Sequence, residues 1–186
     1  MLFVIPDNAD SVYPVTQAAH PGSDLWMLAR LREKIATEFH AKKPPVVIGF
    51  SAGVEGAIKF SLMNDIHEIM AISGNYDLFD LPAGERSFHE RAFGKGLGIL
   101  QKENPIDLLR GKQMTIHLFC EEKNAVNLKQ AKTLVDAEIP GVTVIDLRAI
   151  GKGYSHDWNF LMSRGILDSL DIILSEGSTP LRSAEK

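Results

Sequence analysis

Gly49-Phe50-Ser51-Ala52-Gly53 lies between the apolar run Val46-Val47-Ile48 and a helix-like segment that opens at Ala52. The five residues read as Gly-x-Ser-x-Gly, the pattern of a strand that turns sharply into a helix and carries a serine at the tip of a strained turn. Glycines two positions before and after the serine give the backbone room for that geometry. At average Gly and Ser usage the pattern arises by chance in roughly one chain in ten to fifteen of this length, so its surroundings decide its meaning. A β-branched strand precedes it, a helix follows it, and His156 stands far downstream.

Outward from this motif, apolar strand-like runs alternate with helical segments, the signature of a parallel sheet with helices on its faces. Leu2 to Ile5, Val46 to Phe50, Ile66 to Ile72, Thr115 to Cys120 and Val142 to Leu147 are the expected strands. Asp24 to Phe39 is an expected helix, with Leu25, Leu28, Leu31, Ile35 and Phe39 as a stripe facing the sheet. Ala52 to Met63 carries Val54, Ala57, Ile58 and Leu62 on one side, and Ala125 to Glu138 turns Leu128, Ala131, Leu134 and Val135 inward. A last helix is expected from Asp157 to Leu174. Residues 75–112 hold Pro82, Gly84, Gly94, Gly96, Gly98 and Pro105, and read as an irregular excursion with one short helix near Pro105 to Leu109. Such excursions are often lids or pocket walls. The reading gives one domain over 1–174 and a polar, disordered tail over 175–186.

Composition bounds the function. With 186 residues and 45% hydrophobic content the chain supports a single core. A net charge of -4, from 20 basic and 24 acidic residues spread along the chain, leaves no electrostatic footprint for nucleic acid or an anionic membrane. A small molecule is the expected partner. The single cysteine, Cys120, excludes an internal disulfide and a cysteine-based zinc cluster, and fits a reducing compartment. Met1 to Ile5 is cut short by Pro6-Asp7-Asn8, too short for a signal peptide or a span, so a soluble, cytoplasmic protein is expected.

A serine hydroxyl is a weak nucleophile at neutral pH and needs a base, usually a histidine oriented by a third group. His156 sits in the loop between the fifth strand and the last helix, at the carboxyl ends of the strands and so on the edge that carries Ser51. His20, His40, His67, His89 and His117 fall on helix surfaces, strands or the excursion and read as surface or core histidines. Asp157 adjoins His156, but adjacent side chains at a helix start diverge; it reads as a cap for the last helix. Gly94-Lys95-Gly96-Leu97-Gly98 lacks the Lys-Ser/Thr of a phosphate loop and reads as a flexible loop.

Three stretches together resemble the esterase D type of α/β-hydrolase, the group of S-formylglutathione hydrolases, feruloyl esterases, enterochelin esterases and mycolyltransferases. They are Ile48 to Ala57 around the elbow, Ala71 to Asp77 with Phe93-Gly94 and Asn104-Pro105 behind it, and Gly153-Tyr-Ser-His-Asp-Trp158. The resemblance implies a three-layer, mostly parallel α/β-hydrolase sheet with helices on both faces. It implies Ser51 as nucleophile, His156 as general base and the Ala52 backbone N–H as an oxyanion donor. The activity implied is cleavage of a carboxylic ester or thioester, or acyl transfer on the same scaffold, with no metal or organic cofactor.

The chain departs from the family pattern twice. Cys120-Glu-Glu-Lys-Asn124 stands where the family has a pattern like Cys-Gly-x-x-Asp, which places Asn124 in the acid slot and leaves Glu122, or Glu121, to reach in as the acid. An amide orients an imidazole but does not stabilise its positive charge. The strand whose following loop supplies the second oxyanion N–H also has no counterpart, since Leu2 to Ile5 looks like the next strand in family order. The sheet is therefore expected to be truncated at its amino end, and an unpaired central strand favours a homo-oligomer. A catalytically silent, ligand- or partner-binding domain is the alternative these departures raise.

Overall fold

Four parallel strands in sequential order, each joined to the next through helix, make up the sheet of the computed structural model, which describes residues 24–40, 45–93, 97–120 and 124–146 together with Asp168 and Asp171. Helix α1 (Asp24–Glu38) leads into β1 (Val47–Phe50), and α2 (Gly53–Met63) returns the chain to β2 (Glu68–Ile72). A 3₁₀ turn over Leu78–Asp80 and helices α3 (Ala83–Phe93), α4 (Leu97–Glu103) and α5 (Pro105–Leu108) precede β3 (Met114–Phe119); α6 (Ala125–Asp136) connects to β4 (Val142–Asp146). The register pairs Phe50 with Ile72, Ile72 with Phe119 and Leu118 with Asp146. All four strands therefore end together on one edge, where this class of sheet builds its sites.

Strand alternation sorts the core. Ile69 and Ala71 of β2 and Met114, Ile116 and Leu118 of β3 face one side. There they pack against Val54, Ala57 and Ile58 of α2, Ile106 of α5, and Ala131 and Leu134 of α6. Met70, Ile72 and Phe119 point to the other face and are fully buried. That face also carries His117, whose Nε2 lies 2.8 Å from Glu68 Oε1. Glu68 opens β2 four residues before Ile72, about 13 Å along the strand at 3.3 Å per residue, so this pair lies far from Ser51. Among the described residues no helix is long and apolar enough to cross a membrane.

The structure departs from the sequence reading in three places. The described residues of 75–112 are mostly helical, because prolines stand at helix boundaries there. Pro105 is the first residue of α5, and the Pro82 carbonyl accepts from the Arg86 N–H as α3 starts. The segment also owns a small core of Leu78, Leu81 and Leu100, packed with Phe79 and Val126. On α1, only the start of the stripe is covered: Leu25 is buried with Leu28 against Phe60 of α2, and Leu31 and Phe39 are exposed. Helix α6 is rotated from the expected face, with Asn127, Gln130, Ala131 and Leu134 buried and Leu128 and Val135 exposed. The expected strand Leu2 to Ile5 lies outside the described residues. So does the last helix, apart from Asp168 and Asp171, which are helical and exposed.

Candidate active site

Ser51 has a φ of 54°, in the left-handed region that a residue with a β-carbon seldom occupies. Its backbone is held on both sides. The Ser51 N–H donates to the Ile72 carbonyl at 2.9 Å, continuing the sheet, and the Ser51 carbonyl accepts from the Val54 N–H at 3.1 Å, beginning α2. The turn from strand to helix thus takes place at the serine itself. Strain of this kind costs on the order of 1–3 kcal/mol and persists where the surrounding structure enforces it.

Val54 is the wedge that enforces it. A β-carbon on Gly49 would lie 2.6 Å from the Val54 Cα and 2.8 Å from the Gly53 carbonyl oxygen, and one on Gly74 would lie 2.5 Å from the Val54 Cβ. Both glycines let helix α2 sit directly on the ends of β1 and β2. Gly53 differs, since a β-carbon there meets nothing within 4 Å among the described residues, so none of them requires the second glycine of the motif for space. Gly49→Ala is expected to cost about 1–3 kcal/mol through overpacking, and Gly53→Ala to be neutral or stabilising by about 0.5–1 kcal/mol. Paired thermal melts check this, and equal losses at the two positions would refute the assignment of Val54 as the wedge.

Ala52 is the N-cap residue of α2, with no side-chain cap. Its N–H has no acceptor among the described residues, and the positive end of the helix dipole lies there. Asn124 is the N-cap of α6: its side chain accepts from the Asn127 N–H at 3.2 Å. The amide in the expected acid slot therefore has a structural role of its own. Cys120 follows β3 as a buried cysteine. His156, Glu121, Glu122, Asp157 and Trp158 lie outside the described residues.

Sequence reasoning missed a cluster of charged groups one helical turn past Ser51. Glu55 and Lys59 of α2 are buried and ion-paired with each other, the Lys59 ammonium is 2.9 Å from Glu103 Oε2 of α4, and His89 Nδ1 of α3 is 3.3 Å from Glu55 Oε2. The four side chains are at most 3% exposed. Two carboxylates thus face one ammonium and one imidazole across three helices. The cluster ties the 75–112 segment to the helix that carries the elbow. The legible signal was the Glu55/Lys59 spacing of four on an otherwise apolar helix.

The loop after β2 is fixed just as firmly. Gln130 Oε1 accepts from the Tyr76 and Asp77 N–H groups at 2.8 Å each, and Gln130 Nε2 donates to the Asp77 carbonyl at 3.0 Å. Asn104 Oδ1 accepts from the Leu78 N–H at 2.9 Å, and its Nδ2 donates to Asp107 Oδ2 at 2.9 Å. Tyr76 is fully buried, and its phenol is held well above the usual tyrosine range, chiefly by burial, with Cys120 adding and the Gly74 backbone offsetting in part. Above about pH 10 the unfolded chain releases this proton and the folded chain retains it, so the stabilisation present below that pH declines as pH rises. Tyr76→Phe is therefore expected to gain stability relative to the parent between about pH 8 and pH 11; urea melts at both pH values check it, and a constant difference would refute it.

No family model matches the chain, and no curated protein matches it. Solved structures do. The capsule O-acetyltransferase of Neisseria meningitidis serogroup A is similar at 15% identity and a TM-score of 0.51, over 78% of this chain and 63% of that one. A histidine-to-alanine mutant of the same enzyme in complex with CoA gives a TM-score of 0.54 at 14% identity over the same shares. A lipase-esterase related protein from Clostridium acetobutylicum is 12% identical over 84% of this chain and 79% of that one, with a TM-score of 0.48. The chain spans less than two thirds of the length of the capsule O-acetyltransferase. What the O-acetyltransferase likeness shows is the fold: an α/β domain on a parallel sheet.

Proposed function

We propose that this chain is a serine hydrolase domain of esterase D type that cleaves a carboxylic ester or thioester through an acyl-enzyme on Ser51. The observation that carries the reading is Ser51 itself, left-handed at φ 54° between β1 and the N-terminus of α2, where Ala52 is the N-cap and carries no side-chain cap. In the proposed reaction His156 takes the Ser51 proton as Oγ bonds to the acyl carbon. The carbonyl electron pair moves onto oxygen, where the Ala52 N–H donates to it. Collapse expels the alcohol or thiol with the proton from His156, and water then releases the acid by the same steps in reverse roles. Glu122 is the proposed acid, and residues 75–112 form the pocket wall. Acyl transfer differs only in the acceptor, and the O-acetyltransferase likeness supports it as a variant of this chemistry.

Incubation with a fluorophosphonate probe, followed by peptide mass mapping, tests the reading. Labelling confined to Ser51 is expected; folded protein that stays unlabelled would overturn it. A second reading, a catalytically silent domain that binds a ligand or partner, is favoured by one observation, the use of the Asn124 side chain to cap α6. The same experiment separates the two.

A further inference from the structure

We propose that Ser73 supplies a second hydroxyl to the Ser51 site, its O–H donating a hydrogen bond to an oxygen of the acyl group carried by Ser51. The inference rests on the proposed function and goes beyond it. Ser73 immediately follows β2 as Ser51 follows β1, and the register Phe50 to Ile72 puts the two serines side by side on the sheet edge, about one strand spacing of 4.8 Å apart. Ser73 also has a left-handed backbone, with a φ of 51°. Its N–H donates to the Phe119 carbonyl at 2.7 Å, which locks it onto β3.

Two unfavourable features therefore meet at one residue. A side chain with a β-carbon occupies the left-handed region, and its hydroxyl is buried, 2% exposed, with no hydrogen-bond partner among the described residues. Glycine would remove both costs, and alanine the second. Ser61 shares the unpartnered hydroxyl, but it lies in the later half of α2 with no left-handed backbone and away from the carboxyl edge. Only at Ser73, among the described residues, do strain, an unanswered hydroxyl and adjacency to the nucleophile coincide. A substrate oxygen held at Ser51 is the partner that position fits. Ser73 keeps its own proton throughout: the bond that forms is Ser51 Oγ to carbon, the bond that breaks is carbon to the leaving group, and the hydrogen bond goes to an oxygen that stays on the acyl group.

Fluorophosphonate labelling kinetics test this, since the phosphonyl oxygen takes the place of the acyl oxygen as Ser51 displaces fluoride. Ser73→Ala and Ser73→Gly are expected to label about tenfold more slowly, with melting temperatures equal to or above the parent. Parent-like labelling in both variants would overturn the inference and leave the proposed function standing. So would a fall in melting temperature without a slower rate per folded molecule, the signature of a structural hydroxyl. An unlabelled parent protein would remove both.

Discussion

Ser51→Ala is expected to abolish fluorophosphonate labelling and to lower turnover of an activated acyl ester by about 10⁶-fold, the scale seen when the serine of a hydrolase triad is removed. The magnitude follows from the proposed role: in that reaction no acyl-enzyme forms without Oγ, and the Ala52 N–H would only polarise a carbonyl for attack by water. The same position yields an independent signature in stability. Because Ser51 sits at φ 54°, Ser51→Gly relieves the left-handed strain and is expected to stabilise the fold by about 1 kcal/mol while remaining as inactive as the alanine variant. Ester turnover and thermal melts on the two variants together decide the matter. Turnover unchanged by Ser51→Ala would move the chemistry to another residue, and a glycine variant less stable than the alanine variant would mean that the elbow is not strained.

Lys59→Met is expected to destabilise the fold by about 3–5 kcal/mol, a large part of the roughly 5–15 kcal/mol available to a domain. Lys59 is fully buried and its ammonium lies between Glu55 and Glu103, each 1% exposed. Removing it leaves two carboxylates out of water without the ammonium they share, and His89 lies against Glu55, 3.3 Å from its Oε2. The triple change Glu55→Gln, Lys59→Met, Glu103→Gln removes all three charges together and is expected to recover most of the loss, since it is the unpaired charge that costs, not the absence of the pairs. Arg30 and Glu33 make an internal control: they pair at 2.8 Å but are 65% and 61% exposed, so solvent screening limits the loss on removing one to about 0.5 kcal/mol or less. Urea titrations of the three variants measure all of this. A Lys59→Met loss no larger than that at Arg30 would show that the cluster does not hold the 75–112 segment to α2.

The alternation of β-branched runs with helical periods located every described strand to within two residues, because strand and helix patterns are local properties of the chain. The strand-to-helix turn at Ser51 was equally legible, yet the reasons for its glycines were not. Gly49 is required by the approach of Val54, and a β-carbon on Gly53 meets nothing among the described residues, a distinction set by packing between elements. The fold of residues 75–112 was misread because glycine and proline mark both breaks and boundaries, and their helices are held partly by groups from elsewhere. On α6 the apolar pattern pointed Leu128 and Val135 inward, but the structure buries Asn127 and Gln130 instead. Gln130 is turned in because it satisfies backbone groups of Tyr76 and Asp77 more than 50 residues away, a demand that no local periodicity contains.

The sequence by itself determined the parallel α/β class and the serine at the strand-to-helix turn, since both follow from short-range sterics and from spacing along one segment. The tertiary structure decided which charges are buried together, which glutamine of α6 turns inward, and which second serine shares the edge with Ser51. Those outcomes depend on groups far apart in the chain, and a buried polar or charged group is tolerated only where such a distant partner answers it.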